Sequence, residues 1–226
     1  RFEAIAPDKD GELQIGVQRA ALARDVEWLP AIENRGEGVF VAFSRGAIAS
    51  WMSRASVLER GRQLERGFQI WAAEHNIANP RFPGLPYILL HSLSHLLVTA
   101  VSLECGYPAS SIRERVYASD AGYGILLFTG SPDAEGTLGG LVETGRRIRE
   151  HLRAALELAM LCSNDPVCAQ HNPAEPHEGR SLLGAACHGC VLIAETSCER
   201  HNTLLDRSLV VPTVLGDDTA FFRIDA

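Results

Sequence analysis

The stretch 184-GAACHGCVLIAETSCERHNTLLDR-207 sets Cys187, Cys190 and Cys198 in a C-x2-C-x7-C pattern. A C-x2-C step brings two sulphurs about 3.5 to 4 Å apart, as tetrahedral zinc with Zn–S near 2.3 Å requires. Upstream, 161-LCSNDPVCAQHNP-173 adds Cys162 and Cys168, so five of the six cysteines fall within residues 162–198. The pattern predicts a structural zinc site: Cys187, Cys190 and Cys198 supply three ligands and the fourth is Cys162 or Cys168. A Cys3His set drawing on His171, His177, His188 or His201 is the second reading. A redox pair needs a strand leading into the C-x2-C step, and no strand-like run precedes GAACHGC. Bare core cysteines would have to explain the clustering by chance. A closed four-ligand site leaves no position for water, so its role is to hold a loop-rich segment of about residues 161–207.

Cysteines bunched in one region favour metal in a reducing cytoplasm over a secreted disulfide framework. Of the 226 residues, 46% are hydrophobic and 22% charged, near the average for globular chains. No apolar run approaches the ~18 residues of a membrane span, so no membrane association is expected. The formal charge of −7 gives no global basic signature for nucleic acid. Local contact is left to arginines such as Arg62, Arg66, Arg146, Arg147 and Arg149, whose plainer reading is a solvated helix face. The chain opens at Arg1 without a signal-like segment, which suggests the C-terminal part of a longer protein.

Working outward, the patterning predicts an α+β fold: a small mixed or antiparallel sheet packed by several helices, with the zinc module near the C-terminus. Strands are expected near 38–43, 114–119 and 124–129, the last two as a hairpin. Helices are expected over 45–52, 56–75, with Leu58, Leu64, Phe68 and Trp71 on its apolar side, and 141–161. The segment 87-YILLHSLSHLLVTAVSLECG-106 is apolar nearly all round and ends on glycine, which marks a buried central helix. Residues 1–35 read as an extension or the remnant of a preceding domain, with a short helix possible in VQRAALARDVEWL. The main domain spans 36–212, and 213–226 reads as a tail.

Two further features carry chemistry. His91 and His95 are four apart and share a helix face. Without the glutamate of H-E-x-x-H, they read first as satisfied core histidines. The alternative is a hydrolase or nuclease using them with Asp133 or Glu135. Gly136, Gly139 and Gly140 precede a helix whose N–H groups face an anion or, more plainly, form a turn for close packing. They match neither the Walker A nor the dinucleotide fingerprint.

Taken in order, HSLSHLL, GTLGGL, the long helix, C…DPVC, CHGC…C and RHNTLLDR resemble the C-terminal zinc-cysteine domain of DrmB-like proteins of the DISARM anti-phage system. They are similar too to the C-terminal domain of MrfA-like helicases. The resemblance spans roughly residues 36–212. It implies zinc ligands among Cys162, Cys168, Cys187, Cys190 and Cys198, and a non-catalytic accessory role beside a DrmA-like helicase subunit that engages DNA. Thr137 and Leu138 interrupt the helicases' proline-glycine-glycine step, and AQHNPAEPHEGRS lengthens the Cys162 to Cys187 spacing. No ATP-binding motif is present in the chain.

Overall fold

The computed structural model describes residues 2–7, 13–17, 36–129, 139–175 and 179–223. The chain divides into two units, residues 1–33 and 34–226. In the first, β1 (Phe2–Pro7) and β2 (Leu13–Val17) pair antiparallel, a ladder the sequence reading did not anticipate. The short helix expected in VQRAALARDVEWL falls almost wholly outside the described residues.

The second unit is α+β. A three-stranded antiparallel sheet runs in the order β3 (Gly38–Phe43), β5 (Gly122–Thr129), β4 (Ile112–Ser119). The hairpin register pairs Ile112 with Thr129 and Ser119 with Gly122. Along β4 the sequence IRERVY alternates strictly, so Ile112, Glu114 and Val116 are buried while Arg113, Arg115 and Tyr117 are exposed.

Six α-helices lie among the described residues: α1 (Arg45–Met52), α2 (Ala55–Glu74), α3 (Leu85–Cys105), α4 (Gly140–Arg146), α5 (Ile148–Met160) and α6 (Val167–Gln170). Ser44 caps α1 by accepting from Ala47 N. On α2, Leu64 and Phe68 are buried and Trp71 packs beside them, but Leu58 is exposed.

Helix α3 is the spine. Pro86 stands in its first turn, where the missing N–H has no helical partner to lose, and Gly106 ends it with φ +76. By length and composition α3 is apolar enough to cross a membrane, contrary to expectation; most of it is nevertheless buried inside this unit. It packs on β4 and β5 on one side and on α4 and α5 on another, with Leu89, Leu93 and Leu97 meeting Ile112, Ile125 and Leu127 in one core.

The single helix expected over 141–161 is two. It breaks at Arg147: α4 packs on β3 as well as on α3, and α5 packs on α3. Gly145 makes the first contact possible, since a Cβ there would stand 2.8 Å from Val39 Cγ2.

Residues 213–223, expected as a tail, fold back onto the body. Trp51 Nε1 donates to Thr219 O at 2.8 Å, and Phe221 N to Leu209 O at 2.8 Å.

Candidate metal centre

Among the described residues of the segment 161–211, regular structure is limited to α6 and the 3-10 turns Glu195–Ser197 and Arg207–Leu209, so side chains and turn-type backbone bonds hold it. Cys162 and Cys168 come from the loop after α5 and from α6; Cys187 and Cys190 come from a tight turn in which Cys190 N donates to Cys187 O at 3.1 Å. The four sulphurs lie within 4.8 Å of one another. Cys162 to Cys187 is 3.5 Å, Cys187 to Cys190 is 3.6 Å and Cys168 to Cys190 is 3.8 Å. Sulphurs bound tetrahedrally at about 2.3 Å stand about 3.8 Å apart, so the donor set fits one Zn²⁺.

The electrostatics agree. The bond to Cys190 and burial push the Cys168 thiol far up. Burial also raises Cys187, but bonds from Asn164 and Cys162 outweigh it and bring that thiol down to about 7. Four thiols at these separations share their charge poorly without a central cation.

Cys198, expected among the first three ligands, stands apart from this group, and both Cys162 and Cys168 belong to it. Among the histidines of the Cys3His reading, His188 and His201 are exposed, His171 Nε2 lies 3.1 Å from Arg180 O, and His177 is outside the described residues.

Cys198 instead meets His91, His95 and Glu114 in a second cluster, its four donor atoms again within 4.8 Å and all four residues buried. His91 Nε2 is 2.8 Å from Glu114 Oε1 and 3.2 Å from Cys198 Sγ, and His95 Nε2 is 3.3 Å from Glu114 Oε1. The Ser94 hydroxyl bonds the other oxygen of Glu114. Burial lowers the pKa of both imidazoles, but their bonds to Cys198 and Glu114 outweigh it and raise both, His91 to about 10. Glu114 is held well below the usual carboxylate range: burial raises it, and His91 and His95 more than reverse that.

Glu114 escaped the sequence reading. Its signal was present, a carboxylate on the inward phase of the alternating strand IRERV. Asp133, Glu135 and Gly136 lie outside the described residues. The remaining glycines open α4, where Gly139 N and Val142 N each donate to Glu37 Oε2 at 3.0 Å. The anion at this helix start is therefore the chain's own carboxylate, which also accepts from Tyr107 Oη at 2.6 Å. Burial raises the Glu37 pKa, but these bonds outweigh it and hold it below the ordinary value.

The RHNTLLDR motif is a clasp. Asn202 bonds both backbone groups of Ile193, Oδ1 accepting at 3.1 Å and Nδ2 donating at 2.8 Å. Buried Asp206 accepts from Arg60 Nε at 2.7 Å and from Ala185 N at 3.1 Å. Fully buried Arg207 donates to Ala159 O at 2.9 Å and to Asp165 Oδ1 at 2.6 Å. Of the arginines considered for DNA, Arg62 pairs with Glu59, Arg146 with Glu143 and Arg147 with Glu104, as on a solvated helix face.

A four-cysteine centre drawn from two loops of an α+β unit defines a zinc-binding domain, and residues 93–191 match the family described as the MrfA Zn-binding domain. The matched residues take in all four clustered cysteines, and over most of its length the chain is similar to a DrmB protein. It is 42% identical over 199 residues to the DISARM protein DrmB of Bacillus paralicheniformis (strain ATCC 9945a / NCIMB 11709 / CD-2), an alignment covering 87% of this chain and 35% of that relative. The chain thus matches about a third of the relative's length.

Proposed function

We propose that Cys162, Cys168, Cys187 and Cys190 hold one structural Zn²⁺, and that the domain so fixed is a non-catalytic accessory part of a phage-defence complex. In that complex it binds a helicase subunit and, through it, helps engage DNA. The supporting observation is the convergence of four sulphurs from two loops that have little core of their own. Closing four thiolates on the metal leaves no coordination position for a reacting water. The acidic balance of the chain favours a protein contact surface over a direct nucleic-acid one. Thiols kept for metal suit a reducing cytoplasm.

The hydrolase or nuclease reading loses its support, because His91 and His95 are sealed from solvent and general acid-base work requires contact with substrate. The test is a pull-down of a DrmA-like helicase subunit, together with DNA binding by the resulting complex over a salt series. Cys187→Ser with Cys190→Ser is expected to abolish both. Retention of both after zinc loss rejects the reading.

A further inference from the structure

We infer that His91, His95, Glu114 and Cys198 form a second metal site for a divalent transition cation of the zinc class, separate from the four-cysteine centre and beyond the function proposed above. The tautomers carry the inference. His91 Nδ1 lies 3.2 Å from Leu204 O and His95 Nδ1 2.9 Å from Val191 O. A carbonyl only accepts, so each Nδ1 carries a hydrogen, and a cation that displaces the Nε2 proton meets a lone pair turned inward from each ring. Those lone pairs face Glu114 Oε1 and Cys198 Sγ, which are acceptors when ionised. Four electron-pair donors therefore converge on one point closed to water. A dipositive ion there balances one carboxylate and one thiolate and leaves the cluster neutral.

The surroundings are those of ligands. Each imidazole is oriented through its outer nitrogen and Glu114 is anchored by Ser94, the outer-shell arrangement that fixes metal ligands. Cys198 Sγ accepts from Arg200 N at 3.3 Å and Asn202 N at 3.2 Å, donors suited to a thiolate. His201 and Asn202 take left-handed backbone, φ +50 and +58, in the turn that aims those amides. The nitrogen–oxygen contacts, 2.8 and 3.3 Å, lie near the edge of about 3.3 Å of a tetrahedron with nitrogen and oxygen at about 2.0 Å.

The test is metal content and anomalous scattering at the zinc edge on the intact protein, prepared with zinc and without chelator. Two zinc ions per chain, with one peak between the Nε2 atoms of His91 and His95, is the expected result. Glu114→Gln and Cys198→Ser are each expected to reduce two ions to one. Should those variants not fold, cobalt substitution of the unaltered protein keeps the question open to decision: a single-thiolate, imidazole-rich spectrum is expected beside that of a four-thiolate site. One zinc at the four cysteines and none at the tetrad overturns this inference and leaves the four-cysteine assignment standing. A peak at the tetrad alone supports the inference and rejects that assignment. No zinc at either position rejects both.

Discussion

Arg207 donates from Nη2 to Asp165 Oδ1 at 2.6 Å, tying the loop between Cys162 and Cys168 to the fully buried arginine that closes RHNTLLDR. The same guanidinium donates to Ala159 O, at the end of the helix that delivers Cys162. One residue thus fixes the entry to the sulphur cluster from two sides, and the pair sits where solvent does not screen it.

Removing one partner strands a buried charge. Asp165→Ala is expected to cost about 3 to 5 kcal/mol in chemical denaturation. Asp165→Ala combined with Arg207→Met is expected to lose less than the single Asp165→Ala, because the uncompensated guanidinium is gone. A double variant weaker than the single one counts against this account.

Loss of the four-cysteine metal is expected to be local at first. In Cys187→Ser with Cys190→Ser, amides of residues 162–190 should lose protection from hydrogen exchange, while β3, β4 and β5 keep theirs. Uniform protection across both regions would show that the loops hold themselves without metal.

Gly184 opens the GAACHGC motif for a steric reason. A Cβ there would stand 2.2 Å from Asp206 Oδ2, the oxygen that Arg60 holds. Gly184→Ala is expected to cost about 1 to 3 kcal/mol through overpacking. Gly46→Ala in α1, where the nearest atom is 3.8 Å away, is expected to stabilise by about 0.5 to 1 kcal/mol. Thermal melts of both variants distinguish the steric cause from a general intolerance of alanine.

Glu37 supplies a pH-dependent contribution. Its folded-state pKa is lowered, so its stabilisation is fully present above the ordinary value of 4.5 and is lost as pH falls through the folded value. Glu37→Gln is expected to cost about 1 to 3 kcal/mol near neutrality. The difference from the unaltered protein should shrink in acid, measured as denaturation midpoints across a pH series. A constant difference would assign the effect to packing.

Much of this was legible in the chain. The largely apolar helix that carries HSLSHLL, with its glycine stop, and the 38–43, 114–119 and 124–129 strands follow from local periodicity and backbone freedom, which neighbouring residues alone dictate. The break at Arg147 was not legible, because α4 packs on β3 as well as on α3, a long-range contact that local periodicity does not encode.

For the site, sequence alone pointed to a structural zinc held by four of five clustered cysteines, since spacing along the chain fixes how two thiols of one C-x2-C turn approach each other. Only the tertiary structure decided how the five divide. Cys198 lies eight residues past Cys190, and nothing in that interval says which way the chain turns. It is drawn to His91 and His95 because α3 runs beneath it, and to Glu114 because the register of β4 turns that carboxylate inward against the same helix. Long-range packing sets those meetings, and a buried charge settles only where its partners already wait.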